Sequence, residues 1–348
     1  CFSGFIIRLN YTMGKHTLLL IALFSFAFIG CVETLINVTV FPDGRYHMKI
    51  VSKGDKEDID NNDFVHPYSS DWKTEKRQEE NDESNQPVHI LSSESLLNDT
   101  SLLSKNDVGA LRYPISVKFN KGVFSDTYIL HQIFEGRAID KKYPTLASAL
   151  NKPTDQSSEL MVQTEVVMYC LSKSMDDIDS QFEIEQLLKE RMLNHFNGVF
   201  YKAEEDGQLL DIFKSNAMES VDMINIPMEL IRSNFKPFED LLPAQYVDAC
   251  IESMRPYIYE ANVTIQLNDD SFKFASTLPG TIFESNADST SNDTLWWYFD
   301  LKDFMNDSYT IEAASIVYYP ERIQKAVVLG TLIILFVLFL IAKRKAIS

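Results

Sequence analysis

Residues 326–342, AVVLGTLIILFVLFLIA, hold no charged side chain. At 1.5 Å rise per residue a helix of this length reaches roughly 25 Å, close to the hydrocarbon thickness of a bilayer. The run therefore reads as a transmembrane helix, since the core helix of a soluble domain rarely goes so far without a polar position. Arg322 and Lys325 precede it, and Lys343, Arg344 and Lys345 come after it. The denser basic cluster lies after the run, which by the positive-inside rule puts residues 343–348 in the cytoplasm and the bulk of the chain outside it. The location this predicts is the cell (inner) membrane, crossed once.

A second apolar run begins after Met13, Lys15 and His16 and extends from Leu18 to Ile29. Residues 13–30 read as a signal peptide, and residues 1–12 as translation from upstream of the start. The run ends in Phe28-Ile29-Gly30-Cys31, which is similar to a bacterial lipobox, with Phe28 where Leu is usual. On that reading Cys31 is lipidated and becomes the mature N-terminus. An ordinary signal peptide with an incidental cysteine accounts for the same residues, and both readings export the chain beyond residue 31.

The exported stretch is long enough for one large or two small domains. Its acidity, with a formal charge of −18 and a pI near 4.7 over the whole chain, leaves no basic field for nucleic acid and repels an anionic membrane surface. Two cysteines remain in the exported part, Cys170 and Cys250. They form either a disulfide closing a long loop or two buried thiols. The Asn-x-Ser/Thr sequons at Asn37, Asn98, Asn262, Asn292 and Asn306 are accounted for by composition in a chain read as bacterial.

The alternation in Leu35–Phe41 and Arg45–Ser52, around Pro42-Asp43-Gly44, predicts a β-hairpin. Residues 53–86 carry eleven acids against five bases and few apolar residues beyond Phe64, Val65, Tyr68 and Trp72. They read as a solvated loop, with Trp72 tacking it down. Ile115–Phe119 and Val123–Gly136 predict a second hairpin in the same sheet as the first. Residues 31–139 thus form a β-rich half. Helical spacing dominates residues 140–256, in Glu159–Lys173, Ile184–Phe196 and Leu242–Met254, with Pro227, Pro237, Pro243 and Pro256 limiting helix length. Residues 257–319 read as a β-meander: Tyr259–Leu267, Phe272–Ser276, Thr281–Ser285, Leu295–Leu301 and Tyr309–Tyr318. The predicted fold is α+β: an antiparallel sheet from the N- and C-terminal blocks, an inserted helical segment, and one C-terminal membrane helix.

Leu278-Pro279-Gly280, Ser285-Asn286-Ala287 and Leu295-Trp296-Trp297-Tyr298-Phe299, together with the lipobox, the strand-turn-strand opening and the final helix, resemble the LppM-type bacterial lipoproteins. The resemblance covers the beginning and end of the exported part. It implies an extracytoplasmic α+β domain, of largely unknown role, with lipid or glycolipid binding suggested for some relatives. No catalytic residue is carried over, because the matching positions are turn and strand residues. On an alternating strand one of Trp296 and Trp297 faces inward. The other is a candidate for a membrane interface, a ligand groove or a covering loop.

The chain has no GxSxG, Walker, GxGxxG or HExxH pattern. Glu190 and His195 are five apart on a predicted helix, which puts them on different faces, so they read as a surface pair with no shared chemistry. His131 reads as a hydrogen-bonded core histidine, and His47, His66 and His89 as hairpin and loop residues. Asp58-x-Asp60-x-Asn62 begins like a calcium loop, but Asp63 stands where Gly must turn and Ser69 where Glu must close. Asp269 and Asp270 read as solvated turn residues. No catalytic residue, metal ligand or cofactor is implied. The expected function is a membrane-anchored envelope protein, more a binder than an enzyme, whose partner is a lipid or another membrane protein. An extracytoplasmic enzyme with a dispersed site and an accessory subunit of a membrane complex are the alternatives.

Overall fold

A computed structural model describes residues 32–61, 64–67, 70–80, 87–98, 109–150, 156–208 and 228–347. The signal peptide, Cys31, and the Asn62, Asp63 and Ser69 positions of the calcium-like run lie outside the described residues. The fold is α+β, with two largely antiparallel sheets, an inserted set of helices and one long apolar C-terminal helix.

The opening hairpin is β1 (Glu33–Val40) and β2 (Tyr46–Gly54). Its even-numbered residues face inward, with Ile36 opposite Ile50 and Val38 opposite Met48. A short helix α1 (Lys56–Asn61) leads to β3 (Lys73–Glu80) and β4 (Pro87–Leu97). Next come β5 (Ile115–Lys121) and β6 (Ser125–Phe134). The helices are α2 (Ile139–Lys142), α3 (Pro144–Leu150), α4 (Gln156–Asp177), α5 (Asp179–Phe182), α6 (Gln186–Glu205), α7 (Met228–Asn234) and α8 (Tyr246–Gln266). The chain then forms β7 (Ser271–Thr277), β8 (Thr281–Ser285), β9 (Ser289–Ser291), β10 (Thr294–Asp300), α9 (Leu301–Phe304), β11 (Tyr309–Tyr318) and α10 (Pro320–Ile347).

One sheet has the order β3-β4-β2-β1-β7-β10-β9 and the other β5-β6-β11-β8. First and last blocks therefore pair across the helical insertion, β1 with β7 and β6 with β11. The β1–β7 ladder is parallel, with Ile36 opposite Phe274. A parallel pair needs a long crossover, and the helices supply it. The two predicted hairpins do not share a sheet, because β1 and β2 lie in the first and β5 and β6 in the second. Nor is the C-terminal block one meander: β7, β9 and β10 join the first sheet while β8 and β11 join the second. Aromatic side chains fill the space between the sheets. Phe134 lies 4.6 Å from Phe299 and 6.3 Å from Phe272, ring centre to ring centre.

The acidic stretch is more ordered than its composition predicts. Lys73–Glu80 forms the edge strand β3, an exposed charged edge of the kind that discourages further pairing. Phe64, Val65 and His66 are buried, and Trp72 packs partly against the core. Tyr259–Leu267, predicted as a strand from its alternation, is instead the last half of α8, which continues through Pro256. Consecutive burial of Ala261, Asn262, Val263 and Thr264 explains the difference: this part of the helix is enclosed on most sides, so no single face carries the apolar residues. Burial of Asn262 also closes that sequon to a glycan.

Helices α4 and α8 run antiparallel, with Tyr169 beside Tyr257 and Ser174 beside Cys250. They are fastened to the β-structure by Arg137, just after β6. Its guanidinium is buried and donates to the carbonyls of Ala110, Gly109 and Glu260 at 3.3, 2.9 and 2.7 Å, and to Thr264 Oγ1. Gly109 has φ +97°, and a Cβ there falls 2.7 Å from the Pro256 carbonyl oxygen, so only glycine lets this segment meet α8. The start of β1 is fixed as well. The Val32 amide donates to Asp270 Oδ1 at 3.2 Å, and its carbonyl accepts from Ser271 N at 3.0 Å. Asp270, predicted as solvated, is 4% exposed because it makes this contact.

Strand β11 ends at Tyr318 and α10 begins at Pro320 with no linker between them. The most apolar 18-residue window of Pro320–Ile341 has mean hydropathy 2.4, and none of it is buried against the domain. By length and composition it is able to cross a membrane.

Candidate functional site

The distinctive C-terminal wording folds into a clasp between the two sheets. Trp297 faces inward and is fully buried on β10, and its indole N–H donates to Asn286 Oδ1 at 2.8 Å. The same oxygen accepts from the Glu312 amide at 2.8 Å, while Asn286 Nδ2 donates to the Thr310 carbonyl at 2.7 Å. One side chain thus satisfies β11 backbone groups in the second sheet and the core tryptophan of the first. Asn286→Ala leaves the indole and an amide without acceptors and is expected to cost about 1–3 kcal/mol, read as a lowered denaturation midpoint. Trp296 points outward, half-exposed, with Tyr298 stacked at 6.4 Å. Gly280 (φ +83°) turns the chain against β11, where a Cβ falls 2.3 Å from the Ile316 carbonyl oxygen. The block is architectural, apart from the outward Trp296.

His66, a loop residue by its sequence context, is held by hydrogen bonds on both ring nitrogens. It is fully buried over the first sheet. Nε2 lies 2.9 Å from Ser52 Oγ and Nδ1 3.0 Å from Ser93 Oγ. The chain of hydroxyls extends from Ser52 to Thr34 at 2.7 Å and from Ser93 to Thr74 at 3.0 Å. The signal for it is present in the strands: Thr34, Ser52 and Ser93 occupy inward positions where alternation calls for apolar residues. A Ser–His contact of this length resembles a nucleophile and its base. Here burial pushes the imidazole down to about 3, and serine, rather than a carboxylate, holds the second nitrogen. So weak a base cannot activate a hydroxyl near neutral pH. The network joins β1, β2, β3 and β4 and closes the segment around Phe64, whose ring stacks on Tyr113 at 4.7 Å.

Cys170 and Cys250 are both buried as free thiols. Ser174, one helical turn beyond Cys170, is the residue that faces Cys250, at 3.0 Å. The Cys250 sulfur is thus directed at the Ser174 hydroxyl rather than at Cys170, and the two cysteines are unbonded in this structure. Burial raises Cys170 to about 12 and Cys250 to about 11, far from a reactive thiolate.

A half-open cluster lies where α2, α4 and α8 meet. Tyr143 packs edge-on against Tyr169 at 4.7 Å, and Tyr169 against Tyr257 at 6.3 Å. Tyr257 OH donates to Asp177 Oδ2 at 2.5 Å, and Lys142 Nζ pairs with Glu260 Oε1 at 2.6 Å. Burial raises Tyr143 and lifts Tyr169 to about 12, so these phenols stay protonated and serve as packing surfaces, while Tyr257 donates its hydrogen bond to Asp177.

The other predicted positions do not converge. His131 is not in the core. It is half-exposed on the outer face of the second sheet, 3.1 Å from Glu312 Oε1 across the strand pair. Glu190 and His195 lie on different faces of α6 as their spacing predicts: Glu190 is exposed and accepts from Gln186, whereas His195, rather than lying on the surface, turns in against the rings of Phe196 and Phe238. Asp60 of the calcium-like run pairs with Lys76 at 2.9 Å. Among the described residues, no group of three His, Cys, Asp or Glu is placed to hold a metal ion.

The class defined is an α+β domain set directly on a helix able to span a bilayer. No protein-family model matches the chain, and no curated protein matches it significantly. Among solved structures it is similar to the NMR structure of the folded domain of Mycobacterium tuberculosis LppM, at 8% identity and a TM-score of 0.30, over 85% of this chain and 95% of that one. At that score the likeness carries no weight for function, which rests on this chain's own geometry.

Proposed function

We propose that this chain is a single-pass membrane protein of the cell envelope that holds a binding domain on the extracytoplasmic side of the bilayer. Its partner is a lipid, another apolar ligand, or a neighbouring membrane protein. The observation that carries the reading is the passage from β11 into α10 without a linker, which confines the domain to the membrane surface. The cluster Lys343, Arg344 and Lys345 after the span supports a cytoplasmic C-terminus. The environments of His66, Cys170 and Cys250 favour binding over catalysis, since each is sealed and chemically quiet. A lipid on Cys31 is a second anchor in this reading.

Mass spectrometry of lipids that co-purify with the detergent-solubilised protein tests the lipid partner. Enrichment of a lipid class over an unrelated single-span control is expected, and equal recovery removes the lipid-binding reading. Labelling with a fatty-acid analogue is expected to disappear in Cys31→Ala. Unchanged labelling removes the second anchor.

A further inference from the structure

Hairpin tips that project into water favour Gly, Asn and Asp. The β5–β6 tip instead places Val123 and Phe124 beside Gly122, with 73% and 44% of their surfaces exposed. Gly122 is required, because a Cβ there falls 2.3 Å from the Ser125 carbonyl oxygen. The tip is tied to the root of α10. Tyr319 N donates to the Phe124 carbonyl at 2.9 Å, and Arg322 Nη1 to the Gly122 carbonyl at 3.4 Å. Buried Asp126 accepts from Gly122 N at 3.2 Å and from Tyr319 OH at 2.6 Å. Ser125 pairs with Tyr318 as the last rung of the β6–β11 ladder.

These bonds fix the height of the tip. Tyr319 and Arg322 lie seven and four residues before Ala326, axial distances of roughly 10 and 6 Å, so the tip backbone stands about one headgroup layer outside the start of the apolar run. Its surroundings match an interfacial belt: Tyr318 and Ile323 are exposed, and the Arg322 guanidinium lies 3.8 Å over the Tyr319 ring. In a strongly acidic protein this end of the domain carries Lys118, Lys121, Arg322 and Lys325, against exposed Glu321 and an Asp43 that is paired with Arg45 in the neighbouring β1–β2 turn. Long basic side chains suit a headgroup layer.

We infer that the Val123–Phe124 tip enters the boundary between headgroups and acyl chains beside α10, making a second, non-helical contact with the bilayer. The inference rests on the reading that α10 spans. Its consequence is orientation: a domain on one helix is free to swivel about it, and a domain also seated by this tip is not.

Photocrosslinking tests it with the full chain in phosphatidylcholine–phosphatidylglycerol vesicles that contain a clickable phosphatidylcholine. Benzoylphenylalanine replaces Val123, Val328 in the span, or Asn37 on the outer face of the first sheet, in separate proteins. Each position is exposed and accommodates the bulk. Lipid adducts are expected at 123 and 328 with at least five times the yield at 37. Adducts at 328, with yield at 123 no higher than at 37, overturn the tip contact and leave the span standing. Absence of adducts at both 123 and 328 overturns the tip contact together with the spanning reading.

Discussion

Arg137→Met is expected to cost about 3–5 kcal/mol of stability, since it strands several buried acceptors, each worth about 1–3 kcal/mol when left without a donor. The guanidinium joins three backbone carbonyls and one hydroxyl from two separate stretches of chain, residues 109–110 and α8. Burial pulls its pKa below the usual arginine range, and the nearby Glu260 carboxylate opposes that shift. Methionine fills a similar volume but leaves buried acceptors without donors, which is the costly half of a lost hydrogen bond. Arg137→Lys keeps the charge but loses the planar fork that reaches all of these acceptors, so it is expected to fall between wild type and Met. Gly109→Ala loosens the same junction without touching the guanidinium, through the clash with α8. Denaturant midpoints of the detergent-solubilised protein measure all three. A midpoint for Arg137→Met within error of wild type would show that the helices are not held by this residue.

The second large effect is a loss of stability with acid, caused by His66. Its pKa is about 3 when folded, because burial disfavours the cation, against 6.5 when exposed. Between these values the unfolded chain binds a proton that the folded one excludes. The full contribution is therefore present above pH 6.5 and is lost progressively as pH falls toward 3. At pH 5 the loss amounts to about 2 kcal/mol, from 1.36 kcal/mol per unit. His66→Gln retains a donor and an acceptor for Ser52 and Ser93 and removes the titration. Stability of this variant is expected to change little between pH 7 and 5, while wild type declines. Parallel pH profiles for the two proteins would refute this role.

Much of the β-architecture was legible because alternation and turn chemistry are local. The strands around Asp43-Gly44, Gly122 and Gly280, and the whole of β11, lie where period and punctuation place them. Local pattern does not carry partnership. Nothing within β5 and β6 says that they join β11 rather than β1 and β2, since each hairpin is complete in itself. β3 was invisible because an edge strand of Lys, Glu and Arg has the composition of a loop. The second half of α8 looks like a strand because a helix enclosed on most sides loses its amphipathic period. In the site, the two tryptophans were legible as one inward and one outward. The role of Asn286 was not, since its partners lie on different strands. The His66 network was written as three hydroxyl residues at inward strand positions, a pattern that asks for a buried polar partner without naming it.

The clamp on Val32 bears on how the domain stands. Val32 is the first described residue of the exported part. From that point β1 runs eight residues, roughly 25 Å at strand rise. It ends in the turn whose Pro42 carbonyl accepts from Tyr128, beside the membrane-side end of β11. The start of β1 and the root of α10 thus lie at opposite ends of one strand. An acyl chain on Cys31 would have to reach the bilayer from the far end of that strand, so a lipidated Cys31 and a seated Val123–Phe124 tip make different demands on how the domain stands.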